Sequence, residues 1–81
     1  MIAIIKRYDL PGNIPYQFIN PKSVIPCNNA RDLKVTTNTG EVVGISGSDD
    51  KDAVWCVEYI KDDPEREDYI KRHFNQYGEL I

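Results

Sequence analysis

The chain has 81 residues, ten Lys/Arg against thirteen Asp/Glu, and a formal net charge of −3, which fits one domain over residues 1–81 rather than two. A chain of this size buries only about 60% of the surface its unfolded form exposes, so packing alone gives a small margin of stability. Two cysteines, Cys27 and Cys56, and one histidine, His73, exclude a disulfide-rich scaffold, and they fall one ligand short of a closed zinc site unless a carboxylate joins them.

The charge is divided unevenly. Residues 1–40 carry five Lys/Arg against two acids, a net of +3, and residues 41–81 carry five against eleven, a net of −6. That separates a mildly basic half from an acidic one. Ten Ile and six Val against three Leu favour sheet over helix. No apolar run approaches the roughly 18 residues of a membrane span. The opening MIAIIKRY places its charges after the apolar run, the reverse of a secretory signal. The expectation is a cytoplasmic protein with reduced thiols and no membrane partner.

Ile2 to Tyr8 is a short, β-branched apolar run and reads as a central strand. Asp9 to Pro15 holds two prolines and a Pro-Gly step, which mark a loop. Tyr16 to Asn20 reads as a second strand stopped by Pro21, and Lys22 to Asp32 as irregular chain with turns at Pro26, Asn28 and Asn29. Leu33 to Asn38 alternates cleanly, and Glu41 to Ser46 follows it. Asn38-Thr39-Gly40 between them suits a short hairpin, with Gly40 taking a positive φ.

Gly47 ends that strand, and Ser48, Asp49 or Asp50 suits the cap of a helix over residues 49–60. At 100° per residue Ala53, Cys56, Val57 and Ile60 form its inner stripe, with Trp55 and Tyr59 on the other side. Asp62 or Asp63 caps a second helix over residues 64–77, with Pro64 in its first turn. Tyr69, Ile70, His73, Phe74 and Tyr77 form its apolar face, and Gly78 suits its C-cap. The expected fold is therefore α+β: a small antiparallel sheet of about four strands, including the 33–46 hairpin, packed against two C-terminal helices.

No stretch carries a catalytic signature. Gly44-Ile45-Ser46-Gly47-Ser48 lacks the G-x-S-x-G spacing of a nucleophile turn and the Gly-Lys-Ser/Thr of a phosphate loop. The acids of DDKD and DDPERED lack EF-hand spacing, so helix capping and a solvated face account for them without calcium. His73 reads as a partly buried helix residue rather than a general base. No cofactor and no metal are implied, and no enzymatic activity is expected.

Binding residues are sought among aromatics and charges. Trp55 and Tyr59, with Asp62, Asp63 and Glu67, are the candidates for contact with another protein, because Trp and Tyr dominate interface energetics and an array of carboxylates suits a basic or nucleic-acid-associated partner. A second copy of the chain is an alternative occupant. Lys6, Arg7, Tyr16 and Lys34, with Tyr8, Lys22 and Arg31 alongside, are the candidates for nucleic-acid contact by an open basic sheet face. Nucleic acid is the weaker expectation, since the bases are few and the acidic half repels a strand. The function expected is a small non-catalytic protein-binding module of regulator or inhibitor type. Small proteins of phages and mobile elements often have this size and character, an association drawn from size alone.

Overall fold

The computed structural model describes residues 1–7, 14–47 and 55–81. They form strands β1 (Ile2–Arg7), β2 (Tyr16–Ile19), β3 (Ser23–Cys27), β4 (Asp32–Thr36), β5 (Val42–Ile45) and β6 (Trp55–Ile60), followed by helix α1 (Pro64–His73). Two three-stranded antiparallel sheets result, in the orders β2-β1-β6 and β3-β4-β5. This corrects the expected single sheet of about four strands under two helices: the described residues hold two sheets and one short helix.

The layering follows from β1. Ile2, Ala3, Ile4 and Ile5 are all buried, as a strand covered on both faces requires. Ile2 and Ile4 point to one side and meet Ile70 and Phe74 of the helix and its cap, with Ile19 and Ile60 at the margins. Ile5 points to the other side and meets Leu33, Val35 and Ile45 of the second sheet, together with Phe18 from β2. The molecule is thus a helix on a sheet on a second sheet, with one core between each pair of layers.

The largest departure from the sequence reading is at residues 55–60. The helical stripe there is equally a strand alternation, with Trp55, Val57 and Tyr59 on one face and Cys56, Glu58 and Ile60 on the other. Trp, Val, Tyr and Ile favour strands, and all six residues pair with β1, from Ile2↔Ile60 to Arg7↔Trp55. β1 is central, as expected, and β6 supplies the second neighbour it needs. The expected helix start over residues 49–54 and its caps lie outside the described residues, as do Tyr8 and most of the Asp9–Pro15 loop.

The chain expected to be irregular over Lys22–Asp32 contains β3, which pairs with β4 from Ser23↔Thr36 to Cys27↔Asp32. Pro26 is accommodated because β3 is at the edge of its sheet, where a missing N–H leaves no ladder bond unmade. The 33–46 hairpin forms as expected. Thr37 N–H donates to Glu41 O at 2.8 Å, Gly40 N–H to Thr37 O at 3.0 Å, and Gly40 has φ +92°.

Helix α1 begins where the sequence places it. Asp63 is the N-cap, its Oδ1 accepting the Arg66 N–H at 3.1 Å, with Pro64 in the first turn. It ends at His73 rather than residue 77, because Phe74 is extended and bridges to Leu80. Asn75 drives the exit: its Oδ1 accepts the N–H groups of Tyr77 and Glu79 at 3.0 and 2.9 Å, a local alternative to helical bonding. Gly78 serves this turn, with φ +73°, instead of the helix cap. His73 is exposed rather than partly buried, stacked on Tyr69 with ring centroids 4.4 Å apart.

Candidate functional site

Strand alternation puts Trp55 and Tyr59 on the same face of β6, turned toward the second sheet, with Val57 between them. They lie about 13 Å apart along the strand, so they are two separate features.

Trp55 is a packing residue. It lies against the core between the sheets, its indole Nε1–H donates to Arg31 O at 3.0 Å, and the Arg7 guanidinium lies 5.5 Å from its ring centroid. The β3–β4 turn covers it. Gly47 passes close by and donates its N–H to Asp32 Oδ1 at 3.1 Å.

Tyr59 is different. It is 54% exposed and lines a mainly apolar pocket of about 310 Å³ with Met1, Pro21, Lys22, Ser23 and Val24. The pocket lies between β6 and β3, the facing edge strands of the two sheets. Met1 is fixed there by three bonds. Its carbonyl accepts the Asn20 N–H at 2.7 Å, its amine donates to Asn20 Oδ1, and the amine pairs with Asp62 Oδ1 at 2.9 Å. Asn20 holds φ +44°, a conformation that asparagine tolerates better than most residues and that turns the chain from β2 into Pro21.

The acidic candidates therefore separate. Asp62 sits at the pocket's rim through Met1, with its side chain 93% exposed. Asp63 is occupied as the helix cap, and Glu67 is half-buried in the first turn, its N–H bonded to Asp63 O at 2.9 Å. Tyr59 and Asp62 come together; Trp55, Asp63 and Glu67 do not join them.

The basic candidates occupy three surfaces. Lys6 lies on the helix side of its sheet, 3.6 Å from Glu58. Arg7 and Tyr16 are half-buried on the face between the sheets. Lys34 is exposed on the outer face of the second sheet, opposite Ile25 and Gly44. The structure does not gather them into one basic face.

Sequence reasoning missed the partners of Tyr59. Met1, Pro21 and Val24 reach it through sheet pairing and turn geometry, and no local pattern links them to residue 59. Both cysteines are free and half-buried. Among the described residues no group of three or more His, Cys, Asp or Glu is placed to hold a metal, and no helix is long and apolar enough to cross a membrane. The chain matches no protein-family model, no curated protein and no solved structure.

Proposed function

We propose that the chain is a small non-catalytic protein-binding module, of regulator or inhibitor type, that meets its partner at the corner formed by Tyr59, Met1, Pro21, Val24 and Asp62. The observation that carries this reading is the half-exposed Tyr59 ring beside an apolar pocket. An aromatic with one face free and an apolar recess next to it is the usual make-up of a binding hot spot. The Asp62 carboxylate at the rim is paired with the Met1 amine, but its 93% exposed side chain keeps acceptor capacity for a hydrogen-bond donor that a partner brings beside its apolar anchor. The two free thiols support a reducing compartment such as the cytoplasm.

The test is affinity capture from the native cell with the wild type, Tyr59→Ala and Asp62→Ala, each checked for folding by circular dichroism. A partner retained by the wild type and lost by folded Tyr59→Ala is the expected result. Undiminished retention by both variants overturns the reading. Salt-sensitive retention of nucleic acid by the wild type would replace it with the nucleic-acid reading.

A further inference from the structure

A second site lies where helix α1 meets β2. Gln17 is only 5% exposed, yet it is polar and sits on the helix-facing side of its strand. Arg66 explains half of its burial. Its Nε and one terminal nitrogen both donate to Gln17 Oε1, at 3.1 and 2.7 Å. A guanidinium has donors and no acceptor, so the oxygen must face it and the orientation of the amide is fixed. The guanidinium also lies over the Tyr69 ring, 5.9 Å from its centroid.

The amide nitrogen is then turned away from Arg66, and it donates to no acceptor among the described residues. No polar side-chain atom sealed from solvent lacks a partner there, so this nitrogen reaches solvent. The opening that Gln17 lines is a cleft of about 230 Å³ between β2, the helix and the β4–β5 turn. Ile19, Ile70 and Phe74 give it apolar walls, Asn38 and Asn75 give it polar ones, and Lys71 lines it from the last turn of the helix.

We infer that this cleft binds a small carboxylate carried on a compact apolar group, its oxygens taken by the Gln17 amide N–H and the Lys71 ammonium. The amide supplies fixed donors with no competing acceptor, and the lysine supplies the charge that favours an anion over a neutral carbonyl. Arg66 is a positioning residue: it orients the amide and adds a positive charge behind it. The volume falls below the usual range for drug-sized ligands, so the occupant is a small free acid or the last residue of a peptide chain. Both present the same group. This inference is independent of the Tyr59 corner.

Nuclear magnetic resonance titration of the full chain tests it, with the Gln17 side-chain N–H₂ signals and the backbone amides of Ile19 and Asn38 as reporters, the backbone amides alone serving for Gln17→Glu. The probes are benzoate, hexanoate, methyl benzoate, and a short peptide ending in Phe with a free or an amidated C-terminus. Saturable shifts with the carboxylates and none with the ester or the amidated peptide are expected. Preference for the free-acid peptide over benzoate and hexanoate assigns the site to chain ends, and the reverse assigns it to small acids. Gln17→Glu keeps an acceptor for Arg66 and removes the donor, so it should remain folded and bind about tenfold or more weakly. Lys71→Ala changes an exposed side chain, should weaken binding similarly, and decides the matter if Gln17→Glu does not fold. Absent shifts in the wild type, equal binding of the ester, or wild-type affinity in the folded variants overturns the inference.

Discussion

Trp55 and Arg31 are joined across the two sheets by a single hydrogen bond, from the indole Nε1–H to the backbone carbonyl at 3.0 Å. It closes one end of the inter-sheet core, where the β3–β4 turn folds over β6. Trp55→Phe keeps most of the packing and leaves that carbonyl to water, so it should cost about 1 kcal/mol. Trp55→Ala also removes the ring from the core and should cost about 3 kcal/mol, the low end for a Trp truncation because the ring is half-buried. Urea denaturation of the two variants measures both. A folded Trp55→Ala of unchanged stability would mean that the ring serves an interface and not the core.

Gly47 approaches the same carbonyl. A Cβ built there would lie 1.8 Å from Arg31 O and 3.1 Å from Trp55 Nε1. The obstacle is backbone, so Gly47→Ala must separate the strand end from the turn and should cost about 3 kcal/mol, the upper end for overpacking. Gly44 is the control. It lies in β5 with nothing within 4 Å of an added Cβ, and Gly44→Thr should gain up to about 1 kcal/mol from strand preference. Melting temperatures moving in opposite directions would bear out the contrast, and equal losses would refute it.

These two glycines illustrate what the sequence could and could not convey. Local chemistry was readable: the Asn38-Thr39-Gly40 turn, the Asp63 cap with Pro64, and the unbroken apolar run of β1 each specify their structure over a few residues. Residues 55–60 were not, because the period-3.6 and period-2 readings of one short apolar stretch coincide, and only pairing with β1 decides between them. The sites were less legible still. Tyr59 could be singled out as an aromatic, but the pocket beside it is built from residues at the far end of the chain. Gln17 and Arg66 lie 49 positions apart, and nothing local to either announces the other.

Acid should loosen the β3–β4 turn through Asp32. Hydrogen bonds from the Asn28 side chain at 2.6 Å and the Gly47 N–H at 3.1 Å, with the Arg31 charge nearby, hold this carboxyl below the ordinary aspartate range. Its folded pKa is depressed, so its contribution is fully present above the unfolded value and disappears as pH falls through the folded one. Asp32→Asn should therefore be less stable than the wild type at neutral pH. The difference should shrink once the wild-type carboxyl is protonated, below the usual aspartate range. Stability curves that stay parallel from about pH 7 to pH 2 would remove Asp32 from the acid response.

Asp62 and Asp63 are neighbours with separable roles, and that separation makes the acidic side of the Tyr59 corner testable. Asp63 accepts the Arg66 N–H at the start of α1, so Asp63→Ala should cost about 1 kcal/mol. The effect should carry beyond the cap, because Arg66 also holds the buried Gln17 oxygen. Asp62 pairs with the Met1 amine from a position 93% exposed, and exposed pairs of this kind contribute little to stability. Asp62→Ala should leave the melting temperature nearly unchanged, and so should Asp62→Lys, apart from local repulsion of the amine. Reversal of Asp62 alone thus changes the charge of the binding corner without touching the helix, whereas reversal of Asp62, Asp63 and Glu67 together mixes a binding effect with loss of the cap. Thermal melts of Asp62→Ala, Asp63→Ala and the double variant settle the division. Large destabilisation by Asp62→Ala would make the Met1 bond a structural anchor, and weakened capture by Asp62→Lys could then no longer be assigned to the partner.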